Sequence, residues 1–210
     1  MTDQLTLASI LCSRLCHDLV NPVGAVNNGI EILVDEDDPE MQKQVLDLLE
    51  QSTRQVSNRL RFFRLAFGAA SGMEDSLPLD DVRSAAEAFF ADGKTVLDWQ
   101  PQVSELTKDG AKVLLNLVLV AGESLIRGGG VTVQVSRNGD GIILDVMAEG
   151  QRVLLSDGVH EALSGAADVH ALSPKAAPAF LAREISLSAG GDFEWSEGEG
   201  QQLTLTATLS

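Results

Sequence analysis

Apolar residues recur at helical spacing through the first part of the chain, and one acidic break divides them. Leu5, Ala8, Cys12, Leu15, Leu19, Val26, Ile30 and Leu33 follow one another at steps of three, four or seven, which marks a single stripe along a long helix. The stripe stops at DEDDPE. There Asp38 stands before Pro39 as an N-cap followed by proline in the first turn, and Glu40 lies near the positive end of the new helix. Met41, Val45, Leu48, Leu49, Val56, Leu60, Phe63 and Phe67 then continue at helical spacing up to Gly68. Residues 1–70 therefore read as a helical hairpin. Two helices bury little of such stripes by themselves, because each needs packed neighbours on more than one side. A second copy is the economical neighbour, so the spacing predicts a homodimer whose two hairpins form a four-helix bundle about a two-fold axis.

After the hairpin, AASGMEDSLP reads as a linker, and residues 76–210 read as a separate unit of mixed periodicity. A helix is expected over Asp80 to Ala91, a short strand over Thr95 to Trp99, and an apolar helix from Glu105 to about Ile126. VTVQVS and IILDVM flank RNGDG, where Asn138-Gly139 readily supplies positive φ, so an antiparallel hairpin is expected. Helical segments near Val159 to Leu163 and Ala176 to Ala189 precede a strand at Asp192 to Trp195, the turn EGEGQ and a final strand LTLTATL. The pattern is that of a two-layer α/β sandwich.

Charge narrows the partners. With 31 acidic against 15 basic residues the net charge is -16, which repels nucleic acid and anionic membrane surfaces. Two cysteines are too few for a disulfide-stapled secreted domain, no apolar run reaches membrane-spanning length and no signal peptide is evident, so a cytoplasmic protein is expected.

Within the first helix stands HDLVNP, His17 to Pro22. Two residues beyond Leu15 is a rotation of roughly 200°, so His17 should point away from the stripe into solvent. Asn21, Gly24 and Asn28 share its face and form a shallow surface on which another protein can lie. Pro22 removes the hydrogen bond its nitrogen would have given to the Asp18 carbonyl and loosens the turn just after His17. From spacing alone, a tolerated kink in an amphipathic helix that happens to carry an exposed histidine fits these residues as well as a docking face does.

HDLVNP resembles the phospho-acceptor box of two-component histidine kinases, on the first helix of a dimeric hairpin. The resemblance implies that His17 is phosphorylated, that Asp18 is the adjacent acidic group, that Asn21 is the polar group one turn on and that Pro22 is the kink. The second unit is similar to a kinase ATPase (Bergerat) domain that has lost its ligands. KVLLNLVLVAGESLI is similar to the asparagine box, but Val120 stands before Ala121 where a magnesium ligand belongs. LDVMAEGQRV offers Ala148, Gly150 and Arg152 where an aspartate and two glycines hold adenine. SPKAAPAFLAREISLSAGG resembles only the helix and GG turn that close that fold, with no glycine-rich lid.

This combination resembles the ChpT-type histidine phosphotransferases of alphaproteobacteria, over nearly the whole chain. It implies a cytoplasmic homodimer that takes a phosphoryl group on His17 from the receiver of a CckA-like hybrid kinase and passes it to CtrA-like and CpdR-like response regulators. No bound cofactor is implied, since Mg2+ comes with the receiver. Partner docking is expected at Val20, Asn21, Gly24, Asn27 and Asn28, with the facing arginines Arg54, Arg59, Arg61 and Arg64, of which Arg59 and Arg61 are the chief candidates, to speed encounter with acidic receivers. Two other classes fit parts of the pattern: an ATP-dependent histidine kinase, which needs a nucleotide site, and a receiver phosphatase or adaptor, which retains no phosphate on His17. Cys12 and Cys16 read as thiols packed on the stripe rather than metal ligands. His160 and His170 read as surface residues without Ser, Cys or acidic partners at a recognisable spacing, and Trp99 and Trp195 as packing residues.

Overall fold

The computed structural model describes residues 2–68, 75–139, 141–199 and 201–210. Helix α1 (Asp3–Asp35) and helix α2 (Pro39–Phe67) form the hairpin. Asp38 caps α2 as its sequence suggests, its side chain accepting the Glu40 N–H at 3.2 Å, and the Gln42 amide donates to the Glu36 carbonyl to tie the turn. Gly29 is buried where the helices cross. A Cβ there would lie 2.8 Å from Leu49 Cδ2, so glycine is what lets the two backbones approach.

The face that α1 buries differs from the expected stripe. Leu5, Ala8 and Cys12 are exposed, whereas Thr6 and Arg14 are buried and Leu7, Ile10 and Leu11 pack against the core. The reason is a second neighbour: besides following α2, α1 packs near its start on the α/β unit.

Past the hairpin come strand β1 (Ser76–Pro78), helix α3 (Leu79–Phe90), strands β2 (Thr95–Pro101) and β3 (Glu105–Thr107), and helix α4 (Lys108–Ser124). They are followed by β4 (Gly129–Asn138), β5 (Gly141–Glu149), α5 (Asp157–Ser164), α6 (Ala177–Ser188), β6 (Phe193–Gly198) and β7 (Gln202–Leu209). Two expectations need correction here. The end of the expected linker is strand β1, which pairs antiparallel with β3, while residues 69–74 of that linker lie outside the described residues. Glu105–Thr107 is likewise strand rather than helix, because the Thr107 hydroxyl accepts the Gly110 N–H at 3.0 Å and starts α4 only there.

The main sheet has the order β2-β4-β5-β7-β6, antiparallel except for the β2–β4 pair. The β4–β5 hairpin closes at Asn138 opposite Gly141, and the positive φ falls on Gly139, at +60°. Val131, Val133, Val135, Leu144, Val146, Leu203 and Leu205 are buried on the helix-covered face, and Thr132, Asp145, Thr204 and Thr206 alternate with them on the other. That alternation gives two layers. From Gly110 to Ser124, α4 is buried at every position except Lys112 and Glu123. Hairpin and sandwich share one core: Phe62, Phe63 and Ala66 of α2 belong to the same apolar cluster as α4 and the sheet. Asn116, fully buried in α4, donates to the Ala66 carbonyl at 3.0 Å and so satisfies a backbone acceptor in the last turn of α2. Among the described residues no helix is long and apolar enough to cross a membrane.

Candidate functional site

His17 projects from the middle of α1 with its side chain 83% exposed. Its Nδ1 lies 3.2 Å from Oδ1 of Asp18, whose side chain is only 11% exposed. An ionised carboxylate can only accept, so in the neutral ring this hydrogen bond goes with the tautomer that carries its proton on Nδ1 and its lone pair on Nε2. The second oxygen of Asp18 accepts from Nε of Arg14 at 3.1 Å, an i, i+4 pair on the helix. Arg14 is almost wholly buried, and its Nη2 donates to Oε1 of Glu123 on α4. Burial opposes the Arg14 charge, but Glu123 and then Asp18 overcome it and hold the guanidinium pKa above its ordinary value. A chain of four side chains thus runs from the exposed imidazole into the α/β unit.

Pro22 adds a second link. It leaves the Asp18 carbonyl without its helical donor, and Nη1 of Arg59, reaching over from α2, donates to that carbonyl at 3.2 Å. The same Nη1 stands 4.0 Å from Oδ2 of Asp18, and the guanidinium lies 5.6 Å over the ring of Phe89. Arg59→Met should therefore cost about 1–3 kcal/mol through the orphaned carbonyl. In a Pro22→Ala background the backbone N–H returns, and the same change should cost about 1 kcal/mol less. Urea denaturation of the four proteins measures this coupling, and equal costs in the two backgrounds would contradict it.

The imidazole stands between two clefts. One, of about 330 Å³, opens between α1 and α2 and is lined by Asp18, Asn21, Pro22, Ser52, Gln55 and Arg59. The other, of about 540 Å³, separates His17 from the α/β unit and is lined by Arg14, Glu123, Ser173, Pro174 and Lys175. A groove of about 610 Å³ beside Asp3, Phe180 and Arg183 does not include His17.

Of the residues singled out from sequence, His17, Asp18, Asn21 and Arg59 come together at the first cleft. Val20, Asn27 and Asn28 are exposed on α1, and at Gly24 an added Cβ would meet nothing within 4 Å. Arg61 lines neither of these clefts and faces Asp81 of α3 at 3.7 Å, while Arg54 pairs with Glu50. Among the described residues, Arg54, Arg59 and Arg61 are thus engaged within the chain, with Arg59 bound most closely. Cys12 and Cys16 are exposed rather than packed. His160 and His170 do have acidic partners, Glu197 at 3.5 Å and Asp3 at 3.3 Å, brought from elements remote in sequence. Trp99 is buried, and Trp195 lies edge-on to His160.

Arg14 and Glu123 are the functional neighbours that the sequence reading missed. Signals existed for both: Arg14 precedes Asp18 by one helical turn, and Glu123 is a lone acid at the end of the apolar run VLLNLVLVAG. Beside Val120 the free space is about 10 Å³, closed in by Leu154, Leu155, Val159 and Lys175. On that measure about 10–15 Å³ is what holds a single water, so no purine fits there as the side chains stand.

Comparison with known proteins places the chain among phosphotransferases. A family model described as Histidine phosphotransferase C-terminal domain matches residues 79–201. The chain is 32% identical over 175 residues to Protein phosphotransferase ChpT of Brucella abortus (strain 2308), covering 81% of this chain and 82% of that protein. A solved structure of a bacterial phosphotransferase superposes with a TM-score of 0.84 at 27% identity, over 97% of this chain and 96% of the other.

Proposed function

Because the chain belongs to the histidine phosphotransferase family, the protein phosphotransferases of two-component phosphorelays, we propose that His17 is its phosphoryl carrier, with Asp18 and Asn21 beside it in the site. The observation that carries this is an imidazole 83% exposed whose Nδ1 rests on a buried carboxylate at 3.2 Å. In the transfer, Nε2 of His17 attacks the phosphorus of a receiver's aspartyl phosphate. The N–P bond forms as the acyl O–P bond breaks, the electron pair leaves on the receiver carboxylate, and the Nδ1 proton stays between the ring and Asp18. The transition state is loose, so in-line placement supplies most of the acceleration. The receiver brings Mg2+. Both phosphorylated species are high in energy, so the step runs in either direction.

The donor in this reading is the receiver of a CckA-like hybrid kinase, and the acceptors are CtrA-like and CpdR-like response regulators, all in the cytoplasm. The open surface at Val20, Gly24, Asn27 and Asn28 is where a receiver would lie, with Asn21 at the cleft. Arg59 contributes by holding the Asp18 turn more than by free charge, and Arg61 lies to the side. An ATP-dependent kinase is disfavoured by the closed space beside Val120. Retention of phosphate on His17 separates a carrier from a receiver phosphatase. Incubation with a phosphorylated receiver should yield acid-labile phosphate on His17, and a protein that only dephosphorylates the receiver would overturn the carrier role.

A homodimer belongs to the same proposal. Val23, Ile30 and Val34 on α1 and Met41 on α2 are exposed large apolar residues in a single chain, spaced for one bundle face. A second hairpin is the cover that fits them. Ile30→Glu should give a monomer by light scattering, and an unchanged dimer would place the interface elsewhere.

A further inference from the structure

The buried guanidinium of Arg14 offers one edge, Nε and Nη2, to two different carboxylates. Nε goes to Oδ2 of Asp18 at 3.1 Å, and Nη2 goes to Oε1 of Glu123. That edge is the one that arginine ordinarily gives to a single carboxylate as a bidentate pair, the strongest geometry open to it. Here the fork is split, and the splitting leaves Oδ1 of Asp18 free to accept from Nδ1 of His17 at 3.2 Å. We propose that Glu123, acting through Arg14, is a positioning residue for phosphoryl transfer: by occupying one prong of the guanidinium it keeps Asp18 turned toward the imidazole. This rests on His17 being the phosphoryl carrier.

The physical reasoning runs through competition for Asp18. Without the Glu123 charge, Arg14 gains most by taking both Asp18 oxygens, and Oδ1 then leaves Nδ1–H. The ring loses the acceptor that holds its proton on Nδ1, so Nε2 presents its lone pair less often. The other charged groups around the ring do not take over this task. Arg59 already donates to the Asp18 carbonyl, and Lys175, on the far side of the second cleft, is a cation like Arg14. Glu123 is also placed for the role by its helix, as one of only two residues that escape burial between Gly110 and Ser124. The α/β unit, beyond packing the hairpin, thereby sets how the histidine is presented.

Glu123→Gln in the full-length protein tests this, since glutamine is isosteric but its neutral carbonyl is a much weaker acceptor for a guanidinium than a carboxylate, so Nη2 is drawn to the charged Asp18 instead. Transfer from a phosphorylated receiver should slow by about tenfold at saturation, in the range found when an outer partner that orients a reactive imidazole is removed. The receiver concentration giving half the maximal rate should not change. Nitrogen-15 NMR of the His17 ring should show proton population moving from Nδ1 toward Nε2. An unchanged ring signal overturns the inference whatever the rate does, as does a rate loss that appears only in receiver affinity. If the unsubstituted protein takes no phosphate on His17, the carrier role itself fails and the inference falls with it; if it does, and Glu123→Gln matches it, only the inference fails.

Discussion

His17→Ala should abolish phosphoryl transfer in both directions while the fold persists. The side chain is 83% exposed and its polar contact is with Asp18, so little packing is lost, and alanine is the better helix former. Stability should stay within about 0.5 kcal/mol of the unsubstituted protein. The transfer rate should fall by about 10⁴-fold or more, as when a nucleophile is deleted from an enzyme that works by covalent relay. The other two histidines offer no substitute, since His160 lies beside Glu197 and Trp195, and His170 beside Asp3 and Thr6. The measurement is transfer between two purified receivers with the variant present, together with the amount of acid-labile phosphate on the variant itself. Continued exchange through His17→Ala would mean that another residue carries the group.

The hairpin was legible because its signals are local. Helical spacing, the Asp38-Pro39 cap and the DEDDPE break each act within a few residues, and α1 and α2 end within a residue or two of the expected points. The buried face of α1 was harder to read. The residues it buries most are Thr6, Arg14, Pro22 and Gly29, none of them a large apolar residue. They are buried by close approach, ion pairing and contact with the α/β unit, and spacing rules that count hydrophobic residues select a neighbouring face instead. Strands β1 and β3 escaped for a related reason, since each is three residues long and exists through pairing with the other. Such pairing depends on tertiary contact more than on local propensity.

At the site, the exposure of His17 and its contact with Asp18 follow from position on one helix, so for these two features sequence sufficed. The partners of Asp18 do not. Glu123 lies 109 residues from Arg14 and meets it only because α4 packs against the hairpin. Arg59 reaches Asp18 from 41 residues away, and its value depends on the carbonyl that Pro22 leaves open. In sequence Arg59 is one arginine among several on α2, and its binding inside the chain distinguishes it from Arg61, which meets only an exposed Asp81. Charge along a helix face is visible in a sequence, but its use within the chain or toward a partner is decided by what packs opposite.

Arg14→Met is the substitution expected to cost the most stability, about 3 kcal/mol, because it removes the buried cation shared by two carboxylates, of which Asp18 is only 11% exposed. The loss should appear as a lower denaturation midpoint with an unchanged slope. Its pH dependence has a definite sign. Arg14 has a raised pKa in the folded protein, so the stability it contributes is fully present at every pH below the ordinary guanidinium range and would be lost only as pH rises through the folded value. The gap between the two proteins should therefore hold constant from neutral to mildly alkaline pH. Arg14→Lys should recover part of the stability through its charge but little of the transfer rate, because an ammonium has no planar fork to divide between Asp18 and Glu123. Full recovery of both by lysine would show that charge alone is at work and that the division of the guanidinium has no part in presenting His17.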